Sequence, residues 1–135
     1  VAKQFTLGKS ERIKSRKSLD KLFSDGKYFH ASPFKVFYGM EKKSEPAALQ
    51  FGIGVGTRNF KHAVDRNRVK RITRECYRLQ KNELQHLLKE KKISMQVFFI
   101  YTSKELPAFD ETKEKLAIIL KKLEKLVDEI DSANS

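Results

Sequence analysis

Cysteine is almost absent from this 135-residue chain: Cys76 stands alone, so no internal disulfide is possible. That excludes the disulfide-stapled secreted scaffolds and fits a reducing compartment. No apolar run approaches the ~20 residues that a spanning helix needs. No stretch near the N-terminus has the apolar core of a secretion signal. A soluble, cytoplasmic protein without a membrane partner is expected. Metal-ligand patterns are missing too. His30, His62 and His86 lie far apart, with no Asp, Glu or Cys at ligand spacing. No acidic cluster resembles a two-metal nuclease site. The chain is therefore expected to hold no metal and no catalytic centre of its own.

Negative charge is also scarce. Asp and Glu number 17 against 29 Lys and Arg, for a net charge of +12 and a pI near 9.8. Such a balance attracts polyanions. The excess is concentrated: residues 1–27 carry +5, residues 28–56 +1, residues 57–92 +8 and residues 93–135 −2. A basic tail would be repetitive and disordered. Segment 57–92 is neither, because apolar residues recur through it at helical spacing.

The length suits one domain, here 1–135 with a polar, partly disordered arm over 1–14. Ser18 to Asp25 reads as a short helix with Leu19, Leu22 and Phe23 on one face and Gly26 as its stop. Pro33 to Met40 reads as a strand. Phe34, Val36 and Tyr38 share its core face; Lys35 and Phe37 share the other, which suits nucleic acid better. Phe23 fits core and cleft equally. Leu49 to Thr57 alternates strictly, with Gln50, Gly52, Gly54 and Gly56 opposite Leu49, Phe51, Ile53 and Val55. So bare a face often marks close approach by another backbone or a ligand. A long helix over about 61–90, broken near its end, follows. Met95 to Thr102 reads as a strand buried on both faces. Asp110 is placed to cap a final helix with the stripe Leu116, Ile119, Leu120, Leu123, Leu126, Val127 and Ile130. A further strand fits within 26–32. This order implies an α+β, two-layer sandwich.

The long helix carries the strongest signal. With Val69 at 0° and ~100° per residue, Ile72, Cys76, Leu79, Thr73 and Tyr77 fall on one core face. Asn67, Lys70, Arg71, Arg74, Arg78 and Lys81 form one stripe between about 100° and 200°. Arg66 and Arg68 flank the apolar face. A solvated helix face normally mixes signs to gain i,i+4 pairing. Arg66 to Arg74 holds five Lys/Arg and no acid. Adjacent cations repel, and a polyanion removes that cost by releasing its condensed counterions. Arginine adds forked hydrogen bonds to phosphate, and Asn67 offers donor and acceptor to a 2′-hydroxyl or base edge. Cys76 belongs to the core, and the lone His62 is no nuclease site by itself.

The segment FKHAVDRNRVKRITRECYRL, residues 60–79, resembles the signature of the bacterial ribonuclease P protein subunit. Phe60, Ala63, Arg66, Asn67, Arg68, Val69, Lys70, Arg71 and Arg74 occupy its positions. Arg12, Ile13, Lys14, Leu19, Phe23 and Gly26 match the family's opening segment and first helix. FKVFYG and FGIGVG are similar to its strands. The resemblance implies an α-β-β-β-α-β-α fold with a left-handed βαβ crossover, like a domain of a small-subunit ribosomal protein. It also implies a partner: a catalytic RNA, the ribonuclease P RNA, that uses Mg²⁺ to cleave the 5′ leader from precursor tRNA. On that basis Arg66, Asn67, Arg68, Lys70, Arg71, Arg74 and Arg78 are the expected RNA contacts. Arg12, Lys14, Phe23, Lys35 and Phe37 would line a cleft for the single-stranded leader. Leu19 stands where many members have Phe, and residues 30–33 also depart from commoner sequences. Magnesium would be held mainly by the RNA, and no obligate protein partner is expected. Two other readings stay open: a ribosomal or other structural RNA-binding protein with no cleavage role, and a metal-dependent nuclease acting alone.

Overall fold

The computed structural model of the chain describes residues 11–13, 15–42 and 46–133. Its elements run α1 (Arg16–Asp25), β1 (Lys27–Ala31), β2 (Phe34–Glu41), β3 (Leu49–Val55), α2 (Ala63–Gln80), α3 (Asn82–Lys91), β4 (Ser94–Tyr101) and α4 (Phe109–Ala133). The four strands make one sheet in the order β1-β2-β4-β3. The pairs β1–β2 and β2–β4 are antiparallel, and β3–β4 is parallel. Helices α2 and α3 thus form the crossover of a βαβ unit, within the α+β class that the sequence implies.

Alternation sets what each sheet face does. Val36, Tyr38, Phe51, Ile53, Val97 and Phe99 project into one core, closed by Val69, Cys76 and Tyr77 of α2, Leu84 and Leu88 of α3, and Leu116, Ile119 and Leu123 of α4. Tyr77 stacks on Phe51, with ring centroids 4.0 Å apart and planes 13° from parallel. Of the stripe expected on α4, Leu116, Ile119, Leu120, Leu123 and Val127 are buried and Leu126 packs against them, while Ile130 is only half-buried and lines a surface hollow. Asp110 lies inside the first turn instead of capping it. A carboxylate there still complements the helix dipole.

Among the described elements, α1 is the one that covers the other face. This helix starts on Ser15, whose hydroxyl accepts from the Ser18 amide at 3.3 Å. It ends at Gly26, whose amide donates to the Leu22 carbonyl at 2.9 Å. The reason for glycine here is close approach: a Cβ would lie 2.4 Å from that same carbonyl oxygen. Two expectations change at this face. The strand at 94–101 is not buried on both sides; its burial alternates, with Gln96, Phe98 and Ile100 half-exposed. Its aromatic content came from serving two environments, a sealed core and an open face. And the close approach at the bare glycines of β3 is made by a side chain. A Cβ on Gly52 would sit 2.5 Å from Phe98 Cδ2, and one on Gly54 3.1 Å from Phe98 Cε1. The Phe98 ring lies across them.

The long basic helix is two helices, divided at Lys81. The reason is burial: Lys81 is 2% exposed and ion-paired with Glu11. It therefore leaves the exposed stripe to which helical periodicity assigned it.

Gly52→Ala should lower stability by about 1–3 kcal/mol, the usual cost of overpacking, because Phe98 is held by Phe23 above it. The midpoint of urea unfolding reads this directly. A change under about 0.5 kcal/mol, the scale of a neutral surface substitution, would mean that Phe98 is free to move aside.

Candidate nucleic-acid interface

Helix α2 presents its basic side as the sequence predicts, with differences residue by residue. Asn67, Arg68, Arg71 and Arg74 are exposed, and Lys70 is half-buried. Val64 is 78% exposed and joins Asn67, Arg68 and Arg71 around a shallow depression of about 440 Å³. Arg66 has turned back: its Nη1 donates to the carbonyl oxygens of Phe60 and Lys61, both at 2.8 Å. It clamps the loop that enters α2. Arg78 is tied to Glu75, with its Nε 3.1 Å from Oε2 and a second, shorter bond from Nη2. That hydrogen bond holds the Glu75 carboxyl below the usual carboxylate range. Free cationic character is thus greatest at the middle of α2, on Arg68, Arg71 and Arg74.

Arg74 links this surface to a second one. Its guanidinium is shifted down from its ordinary value, first by desolvation and then by the like charge of Arg12. Arg12 forms a parallel bridge with Phe51 on the outer edge of β3, and the Ile13 amide donates to the Phe51 carbonyl at 3.0 Å. One residue earlier, Glu11 accepts from buried Lys81 and from Gln85 Nε2, the latter at 2.7 Å. Tyr77 faces the same carboxylate; burial first, and Glu11 second, raise its hydroxyl above the usual phenol range. Residues 11–13 therefore cross the sheet edge from the helix layer to the open face. They are docked on the β3 edge; residues 1–10, and Lys14 among the expected cleft residues, lie outside the described residues.

The open face carries an aromatic row. Register aligns Tyr28, Phe37, Phe98 and Gly52 across β1, β2, β4 and β3. Phe23 of α1 stands edge-on over this row, 4.9 Å from Phe37 and 5.4 Å from Phe98. It is 41% exposed and lies outside the buried core. Phe37 faces the open side as expected but is only 9% exposed, because Phe23 and Tyr28 flank it. Lys35 Nζ lies 4.4 Å from the Tyr28 centroid and 5.0 Å from that of Phe37. A hollow of about 870 Å³ lies on the other flank of α1, over Gly39 and the hydrogen-bonded pair Gln50 and Gln96. Neither Phe23 nor Phe37 lines it. Base stacking needs exposed ring area, not enclosure, so the aromatic row is the better nucleic-acid surface.

Sequence reasoning missed Tyr28, Phe98 and Glu11. Phe98 lies on a strand whose alternation was legible: it sits two residues from Gln96, on the side opposite Val97 and Phe99. Glu11 gave no local signal, since its partner is 70 positions away. Among the described residues, no three His, Cys, Asp or Glu gather in a group that could hold a metal ion. No helix among them is long and apolar enough to cross a membrane. Cys76 is buried, and desolvation pushes its thiol up to about 11.

Fold and surface together define an α+β RNA-binding protein with a basic helix on one side and an aromatic open sheet on the other. The profile of the ribonuclease P family matches residues 7–124. A ribonuclease P protein component from Porphyromonas gingivalis is 39% identical over 105 residues, covering 78% of this chain and 77% of the relative. One from Chlorobium phaeobacteroides is 30% identical over 125 residues, covering 85% and 86%. Among solved structures, the RNase P protein of Thermotoga maritima aligns with a TM-score of 0.64 at 26% identity, over 83% of this chain and 96% of that one. The Staphylococcus aureus RNase P protein shares the fold with a TM-score of 0.65 at 22% identity, over 85% and 96%. The chain belongs to the ribonuclease P protein family.

Glu11→Ala would leave Lys81 buried without this carboxylate. A stability loss of about 2–4 kcal/mol is expected, somewhat below the full cost of breaking a buried pair because Glu11 is partly exposed. The Ile13 amide should lose hydrogen-exchange protection at the same time. The double variant Glu11→Met with Lys81→Met should recover most of the stability. An Ile13 amide as protected in Glu11→Ala as in the native chain would show that the pair does not hold the crossing.

Proposed function

We propose that this chain is the protein subunit of ribonuclease P and contributes no catalytic group. It binds the ribonuclease P RNA through α2 and the 5′ leader of precursor tRNA on the open sheet face. The observation that carries this reading is the continuity of the two surfaces at Arg12 and Arg74. A cationic helix alone would suit any RNA. An aromatic single-strand platform on the neighbouring sheet face suits a protein that handles two RNAs at once.

The physical roles follow from side-chain chemistry. Arg68, Arg71 and Arg74 neutralise phosphates and release counterions; their planar forks fix orientation as well as charge. Lys70 and Asn67 add contacts at the same face, Asn67 to a 2′-hydroxyl or base edge. Arg66 acts mainly by holding the entrance of α2, and Arg78 by way of its Glu75 pair. Arg12 and Lys35 supply charge beside the stacking surface of Phe23 and Phe37, and Lys14 adjoins Arg12 in sequence. Lowered repulsion between catalytic RNA and substrate raises affinity for leader-bearing precursor. Magnesium is a hard cation that prefers oxygen ligands and often phosphates, so it is assigned to the RNA. The protein's part is to make its binding less costly at low Mg²⁺. The assembly works in the cytoplasm without an obligate protein partner.

Reconstitution with a bacterial ribonuclease P RNA and a precursor tRNA tests this. Leader removal at low Mg²⁺ should rise when the protein is added, and the protein alone should cleave nothing. Arg71→Ala should reduce the slope of log affinity against log salt for the RNA by about one. Binding without any gain in cleavage would favour a structural RNA-binding protein. Cleavage by the protein alone would favour an independent nuclease.

A further inference from the structure

One exposed aromatic of the open face has been given no role so far. Tyr28 sits on the outermost strand, β1, and is 56% exposed. It is not a stray surface ring. Register puts it directly beside Phe37, 5.6 Å away between centroids and tilted by 43°. Lys35 Nζ lies within 4.4 Å of its ring and 5.0 Å of that of Phe37. His30, next on the same side of β1, meets the Tyr28 ring edge-on at 5.8 Å. The aromatic row therefore continues one strand beyond Phe37, with a cation between its last two rings.

We infer that Tyr28, with Lys35, forms an outer stacking subsite for a base of single-stranded RNA, at the end of the leader path farthest from α2. The inference rests on the reading of the open face as a leader-binding surface. A ring with much of its area in water, a neighbouring ring at an angle and a lysine in reach of a phosphate is the combination that binds single strands without reading sequence. Phe37 itself has little area left to offer. Tyr28 has the most of any ring in the row.

Position gives the subsite its order. Arg12 and Arg74 lie at the β3 edge, next to the helix assigned to the catalytic RNA. Tyr28 lies at the β1 edge, three strand spacings or about 14 Å away. A leader whose cleavage site is held with the catalytic RNA reaches Phe23, Phe37 and Phe98 first and Tyr28 last. Short leaders end before it.

The test uses holoenzyme assembled on a bacterial ribonuclease P RNA and a series of precursor tRNAs with progressively shorter leaders. Tyr28→Ala should weaken binding of the longest leaders about fivefold or more, the scale of one lost stacked base. It should leave the shortest within twofold of the unaltered protein. Tyr28→Phe keeps the ring and should match the unaltered protein at every length. Equal loss at all lengths would overturn the subsite and make Tyr28 a support of the sheet edge. Unchanged binding at all lengths would also overturn it and leave Tyr28 and Lys35 as a self-contained surface pair. If the unaltered holoenzyme itself ignores leader length, the leader-binding face fails as well. If it responds to length and Tyr28→Ala does not differ, only the outer subsite fails.

Discussion

The ion pair between Lys81 and Glu11 determines where the chain's N-terminal segment crosses from one side of the sheet to the other. Lys81 stands at the joint of α2 and α3, out of water. A buried ammonium is costly unless it is paired and hydrogen-bonded. Glu11 meets that need, and Gln85 holds the same carboxylate. Once Glu11 is fixed, Ile13 hydrogen-bonds to β3, Arg12 lies beside Arg74, and α1 starts at Ser15 directly over the open face. Both proposed RNA surfaces inherit their relative placement from this crossing.

A second constraint lies within the open face. Phe98 spreads over Gly52 and Gly54 and under Phe23, so the floor of the cleft is packed although its rim is wet. Side chains on these glycines would push the ring up into α1. The row thereby keeps its rings in place before any ligand arrives, which lowers the ordering cost of binding. Repulsion works in the opposite sense at Arg12 and Arg74. The like charge of Arg12 acts on Arg74 in the free protein, and a phosphate bound there would relieve it.

The features legible in the sequence were those that repeat. The 3.6-residue period separated the core and basic faces of α2, and strict alternation set both faces of β3. The resemblance at residues 60–79 supplied the family. What was hidden depended on distant partners or weak patterns. Helical periodicity placed Lys81 in the exposed stripe because a wheel has no means of seeing a helix joint or an acid 70 positions upstream. Arg66 and Arg78 looked like free cations until the Phe60 carbonyl and Glu75 were seen to occupy them. The glycines of β3 did mark close approach, by the Phe98 side chain instead of a backbone. Tyr28 went unassigned because β1 has only five residues and no clear alternation in its composition.

The central claim is that two RNAs meet two different sides of one small protein. Tethered hydroxyl-radical cleavage measures this most directly. Cys76 is buried with its thiol pushed up to about 11, so it will not compete for a chelate attached to an introduced cysteine. Attached at Ser24→Cys, on the exposed side of α1, the iron chelate should cut the leader of bound precursor tRNA. Attached at Val64→Cys, beside Arg68 and Arg71, it should cut the ribonuclease P RNA. Leader cuts absent from the Ser24 position, or both probes cutting one and the same RNA, would contradict the account.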